Sequence, residues 1–144
     1  MSKPQLKKIL LVDDDSATNF INEITIKKTG VDAQIVVCTS AFQALDYLGS
    51  TGQYENQERF PQPCIIFLDI NMPGMNGFEF LDHYDKLPEE QKGILVVVML
   101  TTSVNPDDRM RSENDQNIKG FISKPLTEEH LMKIINDNFE WSKK

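Results

Sequence analysis

Four apolar stretches of the 144-residue sequence stop abruptly on residues able to handle a metal ion or a phosphate. "ILLV" (9–12) runs into Asp13-Asp14-Asp15, and "CIIFL" (64–68) into Asp69. "ILVVVML" (94–100) runs into Thr101-Thr102, and "GFIS" (120–123) into Lys124-Pro125. Carboxylates gathered at one point cannot all ionise unless a cation offsets their repulsion. Oxygen donors alone favour a hard ion, so Mg2+ fits a few carboxylates plus water. A metal-bound carboxylate beside a mobile lysine is suited to accept a phosphoryl group, because the cation and Lys124 both neutralise charge on the transferring oxygens. A threonine hydroxyl opposite could hydrogen-bond the new phosphate. The motifs contain no His/Ser nucleophile pair, no P-loop and no GxGxxG.

These residues can meet only if the elements carrying them are aligned. Short runs rich in Ile and Val suit strands buried on both faces, as in a parallel sheet covered by helices. A weaker run, "AQIVVC" (33–38), completes a set of five with 9–12, 64–68, 94–100 and 120–123. Helix-like segments lie between them. Residues 16–28 carry Phe20, Ile21, Ile24 and Ile26, and residues 40–49 begin with a Ser40…Gln43 capping box and place Phe42, Leu45 and Leu48 on one side. Residues 76–86 carry Phe78, Phe80, Leu81 and Tyr84. The last helix starts at Thr127, with Glu128 and Glu129 in its first turn, and stacks Leu131, Ile134, Ile135 and Phe139. The stretch 107–117 is polar, with Met110 as its one apolar anchor, so as a helix it should dock weakly. This alternation predicts an α/β fold, a doubly wound parallel sheet of five strands with helices on both faces. Ligands bind outside the carboxyl ends of the strands in such a sheet, which puts Asp69 and its companions on one rim.

Composition narrows the function classes. The chain has the length of one domain, with 40% hydrophobic and 26% charged residues. A formal charge of −7 argues against binding a phosphate backbone, and no apolar run approaches the length of a membrane span. Cys38 and Cys64 sit in strand-like runs without metal spacing and read as reduced core residues of a cytoplasmic protein. His83 and His130 read as ordinary helix residues, Met72 and Met75 as loop packing, and Trp141 as a cap on the packing of the last helix.

"ILLVDDD", "LDINMPGMNGFEFL", "VVVMLTTS" and "FISKPL", in this order over roughly residues 7–140, resemble the receiver domain of two-component response regulators. The resemblance implies a (βα)5 fold with strand order 2-1-3-4-5, residues 1–144 forming a single receiver domain with no output domain. It implies Asp69 as phosphoacceptor. Asp13, Asp14, Asp69 and the backbone carbonyl of Asn71 would hold Mg2+, with Mn2+ as a substitute. Thr101 is similar to the switch hydroxyl, where the apolar run stops, and Thr102 then fills the usually small next position. Lys124 would pair with the phosphate, Phe121 would be the aromatic switch in place of the often-seen Tyr, and the Lys124–Pro125 bond would be cis. Asn71 and Ser103 lie where the family tunes water access and phosphate lifetime.

By the same resemblance, a sensor histidine kinase or a histidine phosphotransfer protein is the donor. The surface of the fourth helix, fifth strand and fifth helix would bind a downstream protein or a second copy, leaving monomer and homodimer both open. Water attack would reset the switch. Two other readings use the same residues. An aspartyl-phosphate phosphatase of the haloacid dehalogenase type needs an acid two residues after the nucleophile, where this chain has Asn71. A phosphorylation-independent adaptor would have no use for the intact set Asp13, Asp14, Asp69, Thr101 and Lys124.

Overall fold

The five apolar runs become the strands of one parallel sheet. A computed structural model describes residues 3–49, 64–87, 95–102 and 105–144. The connection at 50–63, most of the one at 86–93, and Ser103 lie outside the described residues. The elements are β1 (Lys8–Val12), α1 (Ser16–Thr29), β2 (Gln34–Cys38), α2 (Ala41–Gly49), β3 (Cys64–Leu68), α3 (Gly77–Asp85), β4 (Leu95–Thr101), α4 (Pro106–Asn114), β5 (Ile118–Ser123) and α5 (Glu128–Asn138). Their sheet order is β2-β1-β3-β4-β5, the order expected. Among the described residues no helix is long and apolar enough to cross a membrane.

Strand alternation divides the core between the two faces. Leu10, Val12, Ile66, Leu68, Val97 and Met99 pack with Leu48 of α2 and with Phe80 and Leu81 of α3. Ile9, Leu11, Ile65, Phe67, Val98 and Leu100 pack with Ile26 of α1 and with Leu131 and Ile135 of α5. Each such side chain, once buried, contributes about 1.5–3 kcal/mol before chain entropy is counted. Lys8 is buried at the start of β1, where its Nζ meets the Tyr47 hydroxyl at 2.5 Å.

Helix ends follow local chemistry. Asp15 caps α1 by accepting the Ala17 N–H, and Gly30 ends it in the left-handed conformation at φ +76°. Asn76 and Glu79 form a reciprocal capping box on α3. The box expected at Ser40…Gln43 is only half formed. Ser40 Oγ accepts the Gln43 N–H at 3.1 Å, but the Gln43 side chain takes the Thr39 N–H at 2.8 Å instead of that of Ser40.

Three helices turn differently from the pattern in the sequence. On α1, Phe20 and Ile21 are 64% and 53% exposed and Ile24 also faces out, while Asn19, Asn22 and Ile26 face in. On α2, Leu48 is buried but Phe42 is exposed, its ring lying against Gly74. On α4, Met110 is exposed and is no anchor; Ser112 is the buried residue. That helix is held instead by Arg109 over the Phe121 ring at 5.5 Å and by Arg111 over Phe78 at 4.2 Å. Contacts of this kind contribute about 0.5–1 kcal/mol each at exposed sites.

Beyond α5 the chain runs back beneath the sheet, a feature absent from the sequence reading. Leu6 donates to the Glu140 carbonyl, Glu140 to Pro4, and Asp32 to Ser142. Trp141 donates its indole N–H to Asn136 at 2.8 Å, so it does cap the end of α5.

Candidate functional site

The register of the strands builds the rim. Val12 is level with Leu68, Leu68 with Met99, and Thr101 with Ser123. Asp13 and Asp69 therefore emerge side by side at the carboxyl ends, with Thr101 ending β4 and Lys124 following β5 on the same rim. Backbone bonds extend the ladder past the strands and fix the main chain there. Asp69 N–H donates to Val12 at 3.0 Å, Asp13 N–H to Cys38 at 3.1 Å, and Lys124 N–H to Thr101 at 3.0 Å. Gly77, at the start of α3, donates to Ile70 at 2.8 Å, so the "MPGMNG" loop closes directly against the strand end.

Asp13, Asp14 and Asp69 converge, each offering a carboxylate oxygen within 4.8 Å of the others. Asp13 and Asp69 are buried and Asp14 is exposed, which leaves one side open to solvent. Lys124 Nζ lies 2.6 Å from Asp13 Oδ2 and 3.5 Å from Asp69 Oδ2. Burial pushes the Asp69 carboxyl above its ordinary 3.8; Lys124 opposes this, and the neighbouring Asp13 charge adds to it. Burial alone would lower the Lys124 ammonium, but its hydrogen bond to Asp13 and the charges of Asp69 and Asp13 hold it above the ordinary 10.5. One ammonium thus serves two buried carboxylates, with a third at the edge. An all-oxygen donor set with surplus negative charge fits a hard divalent cation.

The remaining predicted residues take distinct places. Thr101 is fully buried at the end of β4, and Thr102 is exposed beside it. Phe121 is half-buried on β5 under Arg109. The Lys124–Pro125 bond is cis, as the resemblance implied. Asn71 is exposed, and its backbone N–H bonds to Asp69. Asp15 stays out of the acidic cluster because its carboxylate is engaged in capping α1; hydrogen bonds from Thr18 and Ala17 lower it below the usual carboxylate range. Cys38 and Cys64 are free and buried, and burial pushes the Cys64 thiol up to about 12. His83 and His130 are exposed on α3 and α5.

The sequence reading missed Asn19, whose amide reaches the Asp13 carbonyl at 2.8 Å. Asparagine at an inward helical position was the available signal, masked by the apolar residues beside it. It also passed over Gly77, where a Cβ would lie 2.6 Å from the Asp69 carbonyl oxygen.

Comparison with known proteins agrees with this geometry. The family model for the response regulator receiver domain matches residues 9–136. The response regulator Rcp1 of Synechocystis is 30% identical over 129 residues, covering 90% of this chain and 84% of its own. The Mn2+-bound structure of Rcp1 superposes with a TM-score of 0.67 at 30% identity, over 91% of this chain and 90% of that one. A two-component response regulator from Cytophaga hutchinsonii gives a TM-score of 0.77 at 33% identity, over 92% and 96% of the two chains. The phosphorylated cyanobacterial phytochrome response regulator RcpA gives 0.68 at 30% identity, over 92% and 90%. A family model that spans most of the chain, on a sheet of the same strand order, makes this protein a member of the response regulator receiver domain family.

Proposed function

We propose that this protein is a phosphorylation switch in which Asp69 accepts a phosphoryl group from the phosphohistidine of a sensor kinase or phosphotransfer protein in the cytoplasm. The convergence of Asp13, Asp14 and Asp69 around Lys124 carries this reading. Asp13, Asp14, Asp69 and the Asn71 carbonyl would hold Mg2+, or Mn2+ in its place. The cation, when bound, supplies charge neutralisation among the reacting oxygens. An Asp69 oxygen forms the new P–O bond as the donor's P–N bond breaks, and the imidazole keeps the electron pair. Lys124 pairs with the transferred phosphate, and the Thr101 hydroxyl turns to it. Phe121 follows inward, which changes the face made by α4, β5 and α5 and its affinity for a downstream protein or a second copy. Hydrolysis of the acyl phosphate resets the switch, with water access governed at Asn71 and Ser103.

The outward stripe of α1 belongs to this reading. Ala17, Phe20, Ile21 and Ile24 begin one turn from Asp14 and face solvent. A donor whose phosphohistidine reaches Asp69 must lie over this rim, so an apolar helix face on the donor would cover the stripe.

Intact mass after incubation with acetyl phosphate tests the reading. A single phosphoryl adduct that requires Mg2+ and is absent in Asp69→Asn supports it. An adduct indifferent to both counts against it.

A further inference from the structure

α1 turns an asparagine towards the base of the acidic loop. Asn19 is 3% exposed, and its Nδ2 donates to the Asp13 main-chain carbonyl at 2.8 Å. A carbonyl oxygen only accepts, so this contact settles which end of the amide faces it. The other end, Oδ1, is buried and has no hydrogen-bond partner among the described residues. An unsatisfied buried acceptor is unfavourable, so packing alone would favour leucine, of similar size, at this position.

The bonded carbonyl belongs to the peptide that joins Asp13 to Asp14. That peptide is planar, so holding its oxygen fixes the plane and the direction in which Asp14 departs from Asp13. The other polar groups of Asp13 are also held. Its N–H donates to Cys38, its Oδ1 accepts the Asp15 N–H at 2.9 Å, and its Oδ2 pairs with Lys124. Asn19 supplies the remaining hold. One turn further on, Asn22 is 2% exposed with its own unsatisfied Oδ1, but it has no hydrogen bond to Asp13 or Asp14.

We propose that Asn19 is a positioning residue for the divalent-cation site, setting the spacing of the Asp13 and Asp14 carboxylates through the peptide between them. This rests on the reading of those carboxylates as cation ligands. Asn22 is its internal control, on the same helix face and equally buried.

Mn2+ affinity of the unphosphorylated protein, read from the electron paramagnetic resonance of the free ion, provides the test. Asn19→Leu weakens Mn2+ roughly tenfold, the loss typical when a group that orients a metal ligand is removed. Asn22→Leu binds within about twofold of wild type, in keeping with additivity at a site without shared partners. Asn19→Ser, too short to reach the carbonyl, shows the same loss as Asn19→Leu and covers the case in which leucine prevents folding. In acetyl phosphate labelling, the Mg2+ concentration for half-maximal rate rises in the Asn19 variants, while the rate at saturating Mg2+ returns towards wild type. Wild-type Mn2+ affinity in both Asn19 variants, or an equal loss in Asn22→Leu, would overturn the proposal. Wild-type protein that binds no Mn2+, or binds it equally well after Asp13→Asn, would overturn the cation reading and the proposal with it.

Discussion

At the scale of residues, the rim is an electrostatic compromise that the proposed phosphoryl transfer would use. Asp69 is buried beside Asp13 with Lys124 shared between them, and burial raises its carboxyl above the ordinary value. The sign of the stability effect follows. A raised pKa means the folded state favours the protonated acid, so that contribution is present at low pH and is lost as pH rises through the raised value. Ionised Asp69 is therefore a burden at neutral pH. Asp69→Asn should raise the unfolding temperature at pH 7, because the amide carries no charge to be desolvated. The gain should vanish as pH falls below the ordinary carboxylate value of 3.8, and thermal unfolding at the two pH values checks it. Gly77 makes a second prediction. A Cβ there would lie 2.6 Å from the Asp69 carbonyl oxygen and 3.2 Å from Met99 Cε, so the Asp69 main chain must shift. Gly77→Ala should cost about 1–3 kcal/mol in denaturant unfolding. It should also slow acetyl phosphate labelling of the folded protein by roughly ten- to hundredfold, because a small displacement of the reacting group is enough.

At the scale of elements, α1 and α4 behave unlike the buried helices. The apolar residues of α1 at 20, 21 and 24 were legible as a helical stripe, but periodicity cannot say whether a stripe faces its own core or another molecule. Here it faces out, because the inward positions carry Asn19 and Asn22. Ile21→Asp should lower transfer from a phosphohistidine donor at least tenfold, as loss of a central apolar contact does. Labelling by acetyl phosphate should stay near wild type, since that small donor needs no docking surface. Equal loss with both donors would place the defect in the rim and not at the stripe. The strand ends were more legible than the helices, since four of the five apolar runs stop where a candidate site residue begins. Met110 misled for the opposite reason. A single methionine in a polar helix does not fix its rotation, and two arginines lying over Phe121 and Phe78 set it here.

At the scale of the whole molecule, the candidate site and the closing tail occupy opposite ends of one sheet. The carboxyl ends carry the acidic rim. The other end is tied by the tail, where Phe139 is buried and Glu140 and Ser142 bond to Leu6 and Asp32. No local pattern announces such contacts between distant parts of the chain, which is why the tail and the buried Lys8–Tyr47 pair were not read from the sequence. Phe139→Ala should cost about 3–5 kcal/mol of stability while the folded fraction keeps its labelling rate, as unfolding curves alongside phosphorylation kinetics would reveal. The central claim is that the phosphoryl group rides on Asp69, and the most direct test locates it chemically. Borohydride reduces an aspartyl phosphate to homoserine, so reduction of the labelled protein followed by peptide mapping should find homoserine at position 69 alone. Homoserine at Asp13 or Asp14, or an adduct that resists reduction because it sits on a histidine or hydroxyl, would contradict the account.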